Sequence, residues 1–105
     1  MPALFPDRIT QLPLFDGHFT ARELRAEGCR VLFASYAAGE RVAAHRHDTD
    51  NHGLVSAGGL FLTLDGVERH VPAGDWYHVP RQAEHAARFE SDTAMIEFWF
   101  AGQGE

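Results

Sequence analysis

The sequence predicts an all-β fold, a single-domain barrel or sandwich, and three observations carry that expectation. From Arg30 onward, short apolar or alternating runs recur about every ten residues and are closed by turns rich in glycine and proline. Asp65-Gly66, set between Leu60-Phe61-Leu62-Thr63-Leu64 and Val67-Glu68-Arg69-His70-Val71, is a two-residue hairpin signal, because a type I′ turn needs positive φ and glycine supplies it. Helix-forming residues are gathered only in Ala21-Arg22-Glu23-Leu24-Arg25-Ala26-Glu27, too short a run to be stable alone.

Taken in order, residues 1–28 read as an N-terminal arm. Pro2, Pro6 and Pro13 forbid a continuous helix, while Phe5, Leu12, Leu14, Phe15 and Phe19 are apolar enough to pack on a barrel, with short edge strands. The run at 21–27 is a short helix ended by Gly28 or, equally, a turn. Residues 29–105 form the barrel domain, with strands expected near 30–37, 41–46, 51–57, 59–65, 67–71, 76–80, 84–90 and 94–100. Pro72-Ala73-Gly74-Asp75 and Pro80-Arg81-Gln82 break the later runs by turn chemistry. No internal repeat, linker or low-complexity tract interrupts the chain.

Composition narrows the function. Of 105 residues 45% are hydrophobic, which places the chain among globular proteins and leaves room for one core and one site. A formal charge of −6, from 15 acidic and 9 basic residues, argues against a partner built of phosphate or anionic lipid. Nucleic acid and membranes are therefore not expected partners. No apolar run approaches the roughly 20 residues of a membrane span. A lone cysteine, Cys29, within an apolar run reads as a small strand residue rather than a reactive thiol, and with no basic, apolar leader at Met1–Asp7 the expected location is cytoplasmic.

The seven histidines carry the chemistry. His45 and His47 stand two apart in a segment read as strand, so both imidazoles project from one face. His85 lies 38 residues after His47, where a different strand begins. Neutral imidazoles meeting in this way suit a first-row divalent metal. His18 and His70 read as surface residues. His78, opposite in phase to Tyr77 and Val79, reads as exposed or as part of a subunit contact.

Gly39, His45, His47, Asn51 and Gly58, followed by Gly74, Pro80, Gln82, His85 and Phe89, keep the spacing of two motifs, G-x5-H-x-H-x3,4-E-x6-G and G-x5-P-x-G-x2-H-x3-N. In this the chain resembles the cupins. The resemblance implies a cupin-type jelly-roll β-barrel holding one divalent transition metal, Ni, Zn, Fe or Mn, through His45, His47 and His85. Asn51 stands at the family's Glu position, Gln82 at the internal Gly and Phe89 at the closing Asn. An alternative register puts His52 at the Glu position, and the alignment of Val55-Ser56-Ala57-Gly58-Gly59 with the family's turn favours Asn51 as the fourth ligand. With either residue the site is less negative than a three-His, one-Glu site.

The last strand, Met95-Ile96-Glu97-Phe98-Trp99-Phe100, and the segment Asp48-Thr49-Asp50-Asn51 resemble the small cupins that linearise unsaturated uronates in pectin and alginate breakdown. That likeness implies an isomerase or lyase for a small, polar, sugar-acid-like substrate, with Glu97 as the proton-moving acid and Trp99, joined by Tyr77, as an aromatic wall against substrate. An arginine that follows the acid in that group is missing. Period-two alternation makes Ile96, Phe98 and Phe100 the apolar set and turns Glu97 outward, whereas a strand covered on both faces allows it inward. Both orientations are open in the sequence. Two other functions fit the same residues: an iron-dependent dioxygenase of a small molecule, and a non-enzymatic sugar- or effector-binding module. Trp76, His78 and the Phe-bearing arm give a surface too apolar for a lone small barrel, so a homodimer is expected.

Overall fold

The computed structural model describes residues 5–17 and 19–101. After a one-turn helix α1 (Asp7–Thr10) come β1 (Ala21–Ala26), β2 (Cys29–Tyr36), β3 (Arg41–His45), β4 (Asp50–Ala57), β5 (Gly59–Leu64), β6 (Val67–Pro72), β7 (Trp76–Val79), β8 (His85–Arg88) and β9 (Thr93–Phe100). They form a five-stranded sheet in the order β1-β2-β9-β4-β7 and a four-stranded sheet in the order β3-β8-β5-β6. All pairings are antiparallel, and the two sheets face each other across one core. This is the all-β sandwich that the run spacing predicts, in the jelly-roll form that the cupin resemblance implies.

The eight strands expected from Arg30 onward are all present with ends within two residues of the expectation. Asp65 and Gly66 close the β5–β6 hairpin with φ of 53° and 80°, as a type I′ turn requires. The run at 21–27 is neither helix nor turn but β1, paired with β2 from Ala21↔Ala34 to Ala26↔Cys29. Tertiary pairing overrides a weak helical preference there. Beyond the arm's helix, Phe5 packs edge-on against Phe33 at 5.8 Å, and Phe15 and Phe19 rest on Trp99 at 5.6 and 6.2 Å. His18 lies outside the described residues.

Strand alternation fills the core. Leu32, Ala34 and Tyr36 of β2, Val55 of β4 and Met95 of β9 meet Leu60 and Leu62 of β5. Leu32, Leu60 and Val55 are completely enclosed, and each contributes on the order of 1.5–3 kcal/mol by leaving water. The core is not apolar throughout, and three of its buried polar members, Asn51, His85 and Glu97, line the site.

Candidate metal centre

Three imidazoles meet between the two sheets. A β-bulge between Val42 and His45 sets Ala43 and Ala44 of β3 against Ala86 of β8, and it brings His45 directly opposite His85. His47 lies past the end of β3, in a loop rather than in the expected strand. That loop is tied to the turn before β8: the Gln82 backbone N–H donates to the His47 carbonyl at 2.8 Å, and the Arg46 guanidinium to the Gln82 carbonyl at 2.7 Å. The donor nitrogens of His45, His47 and His85 all lie within 4.8 Å of one another, with Nε2 of His45 and His47 2.9 Å apart.

The donor chemistry fits a metal. His45 Nδ1 stands 2.7 Å from the Ala43 carbonyl and His85 Nδ1 3.0 Å from the Ala83 carbonyl. A carbonyl can only accept, so each Nδ1 carries the proton and each Nε2 is left with a lone pair. This is the arrangement by which surrounding groups orient metal-binding histidines. Burial, opposed by the Ala83 hydrogen bond and aided by the repulsion that a charge on His45 would exert, holds the His85 pKa below the usual imidazole value and favours the neutral form that can ligate.

Asn51 is buried on the inward face of β4 and lines the same cavity as the three histidines. Its amide oxygen accepts a hydrogen bond from the Thr49 hydroxyl at 2.6 Å and has a second lone pair to offer. His52, the alternative to Asn51, is turned to the opposite face of β4 by the strand's alternation and stacks on His78 with ring centroids 4.2 Å apart.

Glu97 settles the conflict left open by its strand. It points inward with Trp99, and Ile96, Phe98 and Phe100 form the outer face of β9. The Tyr36 hydroxyl donates to one carboxylate oxygen at 3.1 Å and the Trp99 indole N–H to the other at 2.9 Å. Burial raises the Glu97 pKa, and the two hydrogen bonds pull it down only in part. Burial first, and then the Glu97 charge, holds Tyr36 and Tyr77 well above the usual phenol value, so both hydroxyls stay protonated as donors. Gly53 makes the room for Tyr77, because a Cβ there would lie 2.2 Å from the tyrosine ring. Trp99 also packs on His47 at 4.4 Å, linking the carboxylate to the histidine cluster.

Tyr36 was not among the residues singled out from sequence. The signal was present, since it continues the inward set Leu32, Ala34, Tyr36 by period two. The cavity encloses about 50 Å³, space for roughly three to five water-sized groups, so it takes a small ligand or one end of a larger one. Among the described residues that line it there is no lysine or arginine.

An antiparallel double-sheet barrel with three histidines, an amide and a carboxylate converging inside it is a jelly roll carrying a candidate metal centre. A family model described as the cupin domain matches residues 32–100, and the chain belongs to the cupin family. Solved structures agree on the fold. KdgF from Halomonas sp. superposes with a TM-score of 0.77 at 18% identity, over 99% of this chain and 97% of that one. An RmlC-like cupin from Shewanella frigidimarina gives 0.77 at 20% identity, over 90% and 88%. A G106A mutant of salicylate 1,2-dioxygenase from Pseudoaminobacter salicylatoxidans gives 0.67 at 19%, over 70% of this chain and 21% of that one. No curated protein matches the sequence. No helix among the described residues is long and apolar enough to cross a membrane.

Proposed function

We propose that this cupin is a metal-dependent enzyme, an isomerase or lyase acting on a small, polar, sugar-acid-like molecule, with Glu97 as its proton-transferring group. The observation that carries this reading is a buried carboxyl group with a raised pKa in the cavity shared by His45, His47 and His85. These three histidines, with the Asn51 amide oxygen, would hold one divalent transition metal, whose contribution is electrophilic: it polarises a substrate oxygen. Glu97 takes a proton from the carbon beside that oxygen; in an isomerisation it returns the proton to another atom of the substrate, and in an elimination the C–H electron pair becomes the new double bond while the departing group leaves with its own bonding pair and takes the proton from Glu97. Tyr36 and Trp99 hold the carboxyl at a fixed angle through their two hydrogen bonds. Tyr77 and the indole face of Trp99 wall the substrate and keep water out. The same reading takes the protein to act in the cytoplasm as a homodimer joined through the outer face of the five-stranded sheet.

The test follows the proton. Wild-type protein incubated with unsaturated uronates in D2O is expected to incorporate solvent deuterium at carbon, and Glu97→Gln to lose this by roughly 10² or more with its metal content unchanged. Undiminished exchange in Glu97→Gln would end the assignment. A second reading draws on the lining: with no lysine or arginine among the described residues to meet a substrate carboxylate, a less charged substrate of an iron-dependent dioxygenase would also suit the walls. Substrate-dependent oxygen uptake by iron-loaded protein separates the two. Tight sugar binding with neither exchange nor oxygen uptake would favour a binding module.

A further inference from the structure

A second cluster of metal-ligating side chains stands on the other side of β4. Asp50 and His52 occupy alternate, outward positions of that strand, and the β4–β7 register sets His52 directly across from His78. The two imidazoles stack with centroids 4.2 Å apart and an interplanar angle of 5°. Both turn Nε2 toward one carboxylate: His78 Nε2 lies 2.7 Å from Asp50 Oδ1, and His52 Nε2 lies 3.1 Å from Asp50 Oδ2. All three donor atoms are within 4.8 Å of one another.

We infer that Asp50, His52 and His78 form a second metal site, for a borderline divalent transition ion such as zinc, on the outer face of the five-stranded sheet. The donor set is two imidazoles and one carboxylate, which suits such ions and not calcium or magnesium. Bonds of about 2.0–2.2 Å to nitrogen and oxygen, set near 90–110° apart, leave donors roughly 3 Å from each other. In the described structure both Nε2 atoms donate to Asp50, so an ion would replace those two protons, and the parallel rings would turn out of their stack to converge on it. The ligands come from two hydrogen-bonded strands, so the backbone sets their spacing before any ion arrives. In the single chain each side chain is a little under half exposed, which gives an ion entry and leaves further positions open; in the proposed homodimer the site borders the Trp76–Phe98 contact. β7 is the edge strand of its sheet and carries Tyr77 and Val79 into the cavity. An ion here clips that edge to β4, back to back with Asn51, and braces one wall of the inner site.

Metal-stripped full-length protein is dialysed to equilibrium against micromolar Zn2+ and its zinc content measured. The expected content is two ions per chain in the wild type, one in His78→Ala, one in His47→Ala and none in the double variant. Loss of one ion in His78→Ala supports the outer site whatever His47→Ala does, so failure of the inner reading is told apart from failure of this one. Zinc content in His78→Ala equal to that of the wild type overturns it, as does binding that needs millimolar zinc. Should His78→Ala be unstable, Asp50→Asn tests the same site. Zinc-induced shifts of the His52 and His78 ring protons, absent in Asp50→Asn, locate the ion independently of stoichiometry, and unshifted rings overturn the site.

Discussion

The two faces of the five-stranded sheet are built on opposite principles. Its inward face carries Tyr36, Asn51, Glu97 and Trp99, groups that could each have been satisfied by water. Its outward face carries Leu54, Ile96 and Phe98, half-buried, and Trp76 and Phe100, exposed, beside the polar cluster of Asp50, His52 and His78. In an ordinary sandwich strand the apolar set goes in and the polar set out. β9 reverses this, and the reversal is costly, because a carboxylate loses its hydration on burial. Tyr36 and Trp99 offset that cost only in part. A side chain kept inside against its solvation preference marks the chemistry, and an apolar face left outside marks a contact.

The strongest way to break the inner face is to remove a histidine. His47→Ala is expected to abolish stoichiometric metal at the inner site, read by elemental analysis together with the outer-site variants, and to take activity with it. Full occupancy of the inner site in that variant would refute the three-histidine cluster.

Next in size is Glu97→Gln, whose effect on stability sharpens the comparison because it runs opposite to its effect on turnover. The folded-state pKa of Glu97 lies above its unfolded value, so the folded chain holds this proton more tightly. Stability is therefore highest below about pH 4.5 as far as this group is concerned, and it is lost as pH rises toward the folded pKa. His85 has the opposite sign: its folded pKa is depressed, and stability is lost as pH falls below about 6.5. Gln at position 97 keeps acceptor and shape without charge. The variant is expected to be at least as stable as wild type at pH 7.5 and to show a flatter acid-side pH dependence. A large loss of stability at neutral pH would mean that the ionised carboxylate stabilises the fold.

The outer face is tested by charge. Trp76 and Phe98 lie 6.1 Å apart at the surface, and Phe98→Glu or Trp76→Glu is expected to convert a micromolar dimer to monomer in sedimentation while leaving inner metal content intact. A monomeric wild type would remove the contact reading and leave the apolar face unexplained.

How much of this could be read without coordinates follows the same division. The strands from Arg30 onward were legible because their turns and alternation are local signals. His45, His47 and His85 were legible because cupin motif spacing is local too. β1 was not, since its strand state comes from pairing with β2 and its own residues lean toward helix. The direction of Glu97 was not, because alternation on β9 taken alone points it outward, and only the apolar cover on both sides permits the reverse. Asp50, His52 and His78 gave no sign of meeting, because His52 faces His78 only through the β4–β7 register.

The smallest expected effect concerns the one residue of the second motif whose departure the backbone explains. Gln82 occupies the motif's internal glycine position and adopts φ of 65°, a left-handed conformation that costs a residue with a Cβ about 1–2 kcal/mol. It is held there by its backbone, through the His47 carbonyl and the Arg46 guanidinium, and both contacts survive replacement by glycine. Its side chain adds only a 3.3 Å hydrogen bond to the exposed Asp48 carboxylate. Gln82→Gly thus relieves strain but frees the unfolded chain, by about 0.4–1 kcal/mol. The net expectation is a gain of roughly 0.5–1 kcal/mol, or a few degrees in Tm, with zinc content and turnover unchanged. The distinction is informative because this turn positions the His47 loop. If the glycine variant gains stability yet binds the inner metal more weakly, the Gln82–Asp48 contact helps to orient His47, and the strained residue is retained for the site rather than the fold.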